Sequence, residues 1–418
     1  MGRFFTDSAG FMRRVFLLDG FKLDACMDGT YIEVLTWVLT TMSRTAKLFM
    51  SHMANDMLYS ALPPLLPVLA MHHNLSIAAL GLIPAVYMIT ASFLQVATGY
   101  IYDRRQVYAF MPAGLLIGGF AVAAVGFVED YLLIYVLALL GGVGSALYHP
   151  VATSASSVSG KRSLSVSLFM TGGDLGLALG SLVCSLAVAA IGLRGTSLLL
   201  VLPVLTALLL TRVQFQHQAV RRQELGAAVR AVGLRYIYIL VAAAMLRGVT
   251  VMSMITYLPL YLASQGYALA QAGGGLTLML LAGAVGMVSA GVMASRLGKR
   301  RVVMMLLLSS TMFAYLTAIT PPQYVLVPVS LFGLVALAAH PLLVAISHDM
   351  LPNNLGFASA LIYGFTFGMV NVVVPMIGLA MDVYGYAPVF TVVAFLPLVS
   401  AALVSRLPAS KVSLSTAN

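Results

Sequence analysis

Of 418 residues, 61% are hydrophobic and only 9% are charged, whereas about a quarter of an ordinary soluble domain is charged. That excludes a soluble enzyme and a disordered chain, and predicts an all-α polytopic membrane protein. The net charge of +10 has to be read by where it sits, and two cysteines, Cys26 and Cys184, make neither a disulfide framework nor a metal-ligand spacing.

In chain order, residues 1–44 form a tail carrying Asp7, Asp19, Asp24, Asp28 and Glu33, whose one apolar stretch, Tyr31 to Thr41, is too short to span a bilayer. It reads as a cytoplasmic tail, with a surface helix or a later start at Met42 as alternatives. Runs of spanning length, about 20 residues, then recur at 47–70, 77–101, 107–128, 131–157, 164–190 and 195–212. They resume at 236–262, 270–295, 302–319, 324–347, 356–381 and 386–405. The division is a six-helix bundle over 45–213, a connector over 214–235, a second six-helix bundle over 236–407 and a tail over 408–418. Barrel strands are excluded, since the runs are twice too long and do not alternate.

Positive charge sets the orientation. Arg104, Arg105, Lys161, Arg162, Arg296, Lys299, Arg300 and Arg301 lie in loops after even-numbered spans, and Arg221, Arg222, Arg230 and Arg235 in the connector, with Arg212 at its edge. Of 23 Lys and Arg, only Arg194 and Arg247 fall outside this set and the two tails. Both termini are therefore expected in the cytoplasm of a cell whose inner membrane holds the chain. The basic residues face anionic lipid, which removes the nucleic-acid reading.

The halves repeat. His149-Pro150 in span 4 answers His340-Pro341 in span 10, 191 residues on; Pro64 answers Pro259, and His52 answers Arg247, each 195 residues on. The segment Gly99-x-x-x-Asp103-Arg104 is answered by Gly291-x-x-x-Ser295-Arg296, followed by Gly298-Lys299-Arg300. A 6+6 parallel repeat with a basic connector is a transporter architecture.

These residues resemble the loop 2–3 signature of the major facilitator superfamily, without the Gly-Arg pair that completes it and with Ser295 where the second copy would carry an acid. Ser51-His52-x-x-Asn55-Asp56-x-x-x-Ser60 in span 1, Gly144-Ser145-x-x-x-His149-Pro150 in span 4, Phe169-x-x-Gly172-Gly173 in span 5 and Gly364-Phe365-x-Phe367-Gly368-Met369 in span 11 resemble its fosmidomycin-resistance type of drug efflux transporter. The resemblance covers about 47–405. It implies two pseudo-symmetric six-helix bundles rocking around a midplane site, with spans 1, 4, 7 and 10 lining the cavity. It further implies a monomer that is not an enzyme, needs no cofactor beyond a proton gradient, and takes a small-molecule substrate. Gly99, Asp103, Arg104, Arg296, Gly298 and Arg300 become conformational residues, with Asp103 capping helix ends in the outward-open state. The span 5 proline of superfamily antiporters is missing here, although the glycines are present.

An ionisable residue at mid-membrane costs at least ~2.5–3.5 kcal/mol, so it is a functional candidate by default. His52, Asp56 and Ser60 form one stripe on helix 1 at i, i+4, i+8, with Asn55 beside it. The stripe reads either as a proton-coupling site, with Asp174 in span 5 as a further carrier, or as a neutral polar lock. Arg247 in span 7 needs an anion: Asp56, Asp174 or an acidic substrate, whose carboxylate, phosphate or phosphonate a guanidinium grips with two parallel bonds. His149 and His340 read as substrate contacts or as residues satisfying the backbone beside a proline kink; Asn55, Tyr148 and Asn371 join the candidate binding set. The histidines lie on different helices, so no metal site is expected. The predicted function is proton-coupled efflux of a small, anionic or drug-like molecule. A symporter importing an organic anion is the alternative, and a non-transporting membrane sensor a more distant one.

Overall fold

The computed structural model describes residues 43–156, 162–211, 234–351 and 355–408, and every regular element among them is helical. The expectations for both tails and the connector fall almost wholly outside these residues. In the first half, α1 comprises Arg44–Ser60 and Leu62–His73, α2 is Ile77–Arg105, and α3 is Phe110–Ala124 with a 3-10 turn, Val125–Phe127. Next come α4, Tyr131–Ser156, α5, Arg162–Ile191, and α6, a 3-10 stretch Gly192–Leu200 running into Val201–Leu210. In the second half, α7 is Leu234–Ser264, α8 Leu269–Leu297 and α9 Lys299–Ile319. Then α10 is Leu326–Ala336 with Ala339–Met350. α11 is Leu355–Ser359, a π-helical Ala360–Phe365 and Thr366–Tyr384, and α12 is Tyr386–Val393 with Leu396–Val404.

Ten helical stretches among the described residues are long and apolar enough to cross a membrane, and they resolve into twelve passes for two physical reasons. Ser165–Leu210 is one stretch by continuity, but it doubles back at Gly192, whose φ of +68° lies in the left-handed region. The return is tight: a Cβ on Gly195 would stand 2.4 Å from the Ala187 carbonyl. The twelfth pass is α1, which is interrupted at Ala61 because Pro63 and Pro64 cannot donate to the preceding turn. It is also the most polar pass, with Ser51, His52, Asn55 and Ser60 all buried.

Packing shows which end is shut. One apolar core joins both halves, with Leu65, Tyr87, Tyr257, Phe332 and Val374 among its members. Toward the Lys/Arg-rich loops each half has a core of its own, around Met111 and Phe169 in the first and Val303 and Leu343 in the second. Among the described residues the hydrogen bonds crossing between halves avoid that basic end. Asp382 accepts from the Ile77 and Ala78 N–H groups (2.7 and 3.0 Å), Ser181 Oγ donates to the Gly273 carbonyl (3.0 Å), and Tyr59 reaches the Met252 sulfur (3.7 Å). The Asp382 carboxylate caps the positive end of the α2 dipole across the interface. Among the described residues the halves join away from the basic loops, and beside those loops their cores are separate.

Candidate functional site

The i, i+4 spacing of His52 and Asp56 brings both onto the face of α1 that packs on α5. Three glycines of α5 permit that approach: a Cβ on Gly172, Gly176 or Gly180 would lie 2.3–2.4 Å from the carbonyls of Phe49, Met53 or Met57. Gly172, Gly176 and Gly180, spaced four apart on span 5, thus form the seat of helix 1. His52 Nε2 stands 3.3 Å from Asp56 Oδ2, and its Nδ1 is 2.7 Å from the Phe169 carbonyl, with the two rings stacked at 4.0 Å. From α4, His149 Nε2 comes to 3.4 Å from Asp56 Oδ1, while its Nδ1 is 3.0 Å from the Ser145 carbonyl. Asn55 Nδ2 donates to Asp56 Oδ1 at 2.9 Å. Histidines that the sequence scatters over separate helices therefore share one carboxylate. His52 is 4% exposed, but the side chains of Asp56 and His149 are 17% and 31% exposed, so the cluster opens onto the cavity.

Other candidates sit at different depths. Tyr148 is fully buried, its hydroxyl 2.7 Å from Ser51 Oγ, and so packs α4 on α1 rather than facing the cavity. Asp174 follows Gly173 and is half-buried beside the cluster without joining its bonds.

The second half answers with a cation. Arg247 on α7 is 3% exposed, yet among the described residues no carboxylate lies within 4.0 Å of it. Its Nε donates to the Ala336 carbonyl at 2.9 Å. The origin of that acceptor is local. Pro341 has no N–H, the helix breaks after Ala336, and the His340 N–H turns to Leu337 instead. The carbonyl freed by the break holds the guanidinium. The repeat makes the comparison direct, since Ser145, whose carbonyl meets His149, lies 191 residues before Ala336. A small pocket beside Arg247 is bounded by His340, Thr366, Phe367 and Val370. His340 Nε2 in its wall, and Asn371 Oδ1 one residue beyond Val370, are buried with no hydrogen-bond partner among the described residues. His340 also lies edge-on to Tyr363 and Phe367, at 4.5 and 5.1 Å.

At the basic end, Gly99 packs against Pro150 of α4, where a Cβ would make only an ordinary contact at 3.6 Å. Arg104 lies 4.5 Å over the Tyr100 ring, and Asp103 is exposed and forms no ion pair within the described residues. Arg296 is exposed, Gly298 ends α8 at φ +86°, and Arg300 donates to the Ser405 carbonyl. Ser295 brings no acid to this turn, and Lys299 pairs instead with Asp349 at the end of α10 at 2.7 Å. Neither Asp349 nor Asp382 stood out in the sequence; their positions at helix ends were the available signal.

Comparison with known proteins agrees with this fold. The Major Facilitator Superfamily profile matches residues 48–289. The MFS-type transporter YfnC of Bacillus subtilis (strain 168) is 25% identical over 369 residues, which is 83% of this chain and 88% of that one. The fosmidomycin resistance protein of Escherichia coli (strain K12) is 24% identical over 375 residues, 86% and 92% of the two chains. Among solved structures, a point mutant of the nucleoside transporter NupG superposes with a TM-score of 0.76 at 13% identity, covering 87% of this chain and all of that one. A bacterial homologue of the human lysosomal transporter Spinster, in an inward-facing and occupied conformation, gives 0.74 at 13% identity over 91% and 98%.

Proposed function

The chain belongs to the major facilitator superfamily of membrane transporters, and from that premise we propose that it exports a small anionic molecule in exchange for protons by alternating access. The observation that carries this reading is the division of charge between the halves. Asp56 is already matched by two histidines in the first half, whereas Arg247 in the second is buried with a single carbonyl partner and a pocket at its side. A buried guanidinium without an acid of its own is suited to an anion that arrives and leaves.

In this reading the basic loops are cytoplasmic, both termini lie on that side, and the described state is open inward. Substrate enters from the cytoplasm and docks on Arg247 and His340, with Thr366 at the pocket wall. The Asp56–His52–His149 cluster holds the protons that drive the return, and Asp174 is the acid next to it. Loss of the Asp382 contacts and closure around Asp103 would carry the site to the outside. The efflux direction draws on the fosmidomycin resistance protein, similar along most of its length.

Everted membrane vesicles with a panel of carboxylates, phosphates and phosphonates test the reading. It expects accumulation of at least one of them, collapsing when a protonophore removes the pH gradient. Anion counterflow that ignores the gradient in both directions would favour uncoupled transport, and the absence of any flux would reject transport of these anions.

A further inference from the structure

We propose that His52 Nε2, His149 Nε2 and the Asp56 carboxylate form a binding site for a divalent transition-metal ion of the zinc class. Hydrogen-bond donors come first. His52 Nδ1 lies 2.7 Å from the Phe169 carbonyl and His149 Nδ1 lies 3.0 Å from the Ser145 carbonyl. A carbonyl only accepts, so His52 Nδ1 carries a proton; His149 Nδ1 carries one when it donates to the Ser145 carbonyl, with the Ser145 hydroxyl 3.1 Å away able to serve in either role, and in the neutral ring so protonated Nε2 is a bare lone pair. Both lone pairs are aimed at the same carboxylate, one at each oxygen. Electron-pair donors facing one another in this way call for a cation between them.

The distances say which kind. A charge-assisted N–H···O bond is about 2.7–2.9 Å long. Ligands held at about 2.0–2.1 Å from a tetrahedral zinc ion stand about 3.3 Å from one another. The two separations here, 3.3 Å to Oδ2 and 3.4 Å to Oδ1 of the one carboxylate, are near that length, and one ligand atom from each residue lies within 4.8 Å of the others. Rotation of the His149 ring, the most exposed of the three, closes the widest gap.

The surroundings are those of a prepared ligand set. Metal-bound imidazoles characteristically donate their second N–H to a carbonyl or carboxylate, which fixes the ring, and both rings have such a carbonyl within reach of Nδ1. Asn55 Nδ2 steadies Asp56 Oδ1 from behind at 2.9 Å, and the Phe169 ring stacks on His52. Gly173 keeps the wall clear: a Cβ there would come within 2.8 Å of Asp56 Oδ2 and 2.7 Å of His52 Nε2. Three protein ligands leave the fourth position for water, and exposure of Asp56 and His149 to the cavity gives the ion a way in, so the metal exchanges. All three ligands belong to α1 and α4 of one half, and the site persists however the halves rock. It uses the same three side chains that the proposed function gives to protons, so a bound ion and the transported protons would compete for them.

The test uses the full-length protein in detergent, without a polyhistidine tag and stripped by EDTA, titrated with Co2+ and then Zn2+. One equivalent of Co2+ is expected to give the visible absorption of a tetrahedral site, Zn2+ to abolish it, and Zn2+ alone to raise the unfolding midpoint. His149→Gln is expected to weaken Co2+ binding by at least about 100-fold, removing one of three ligands, with an unchanged midpoint in the absence of metal. Should that variant fold poorly, His52→Gln and Asp56→Asn read the same loss. A wild-type protein without the Co2+ signal overturns the site, and so does a signal that survives the ligand substitutions. Proton-driven transport by a protein that binds no metal sinks this inference alone. Metal binding without proton-driven flux sinks only the transport reading.

Discussion

At Arg247 the guanidinium has one fixed partner, the Ala336 carbonyl, and no acid to neutralise it among the described residues. Losing half of a buried ion pair costs about 3–5 kcal/mol, whereas losing the donor to one buried carbonyl costs about 1–3 kcal/mol. Arg247→Gln is therefore expected to lower the unfolding midpoint only slightly, to abolish anion recognition, and to gain nothing from an added Asp56→Asn. Arg247→Lys keeps the charge but loses the two-pronged grip, and its affinity should fall at least about tenfold while some flux survives. Thermal unfolding and anion binding in detergent check both; a large destabilisation rescued by the double substitution would tie Arg247 to an internal acid. For Asp56, replacement by Asn keeps the shape and removes the charge that both histidines face. Uphill export should fall more than about tenfold while counterflow persists. Undiminished uphill export in vesicles would move the coupling group to Asp174.

At the scale of elements, proline placement does more than bend helices. Pro341 interrupts α10 and leaves the carbonyl that Arg247 uses; Pro150 has no N–H for the Ala146 carbonyl, which accepts from Thr98 at 2.6 Å while α4 stays continuous. Pro341→Ala restores a donor, so α10 can heal and the His340 N–H can take Ala336 from Arg247. The expected result is a stabler protein, since a helix-interior proline costs ~3 kcal/mol, with anion affinity reduced about tenfold by the loss of one charged hydrogen bond. Unchanged affinity in a binding titration would show that the carbonyl does not orient the arginine. Sequence reading goes as far as local periodicity reaches: the apolar runs give twelve passes, the i, i+4 step gives the His52–Asp56 pair, and the glycines of α5 give a close helix contact. It stops where folding joins distant chain. That His149 would share Asp56, that Asp349 would pair with Lys299, and that Asp382 would cap α2 across 305 residues are consequences of packing, and no spacing encodes them. Tyr148 marks the opposite case, a polar aromatic read as pocket lining that packs two helices instead.

Across the whole molecule the two halves share a helix order and differ in charge: a carboxylate with two imidazoles in one, a guanidinium with an imidazole in the other. The common apolar core and the Asp382 cap close one end, so the energy of that closure sets how often the site reaches the other side. A carboxylate at a helix N-terminus contributes about 0.3–1 kcal/mol, up to ~2 when partly buried. Asp382→Asn should accordingly raise the reactivity of a cysteine placed at Ser181, in a background lacking Cys26 and Cys184, several-fold toward an impermeant thiol reagent applied from outside. Equal labelling would show that the cap does not hold the closure. Coupled export itself is tested most directly in liposomes holding the purified protein, a trapped pH dye and an anion found in the vesicle panel. With the wild type, an imposed proton gradient is predicted to drive the anion uphill, and adding the anion is predicted to move protons the opposite way. Asp56→Asn is predicted to lose both and keep anion exchange. Anion flux with no proton movement, or proton movement untouched by Asp56→Asn, would contradict the account.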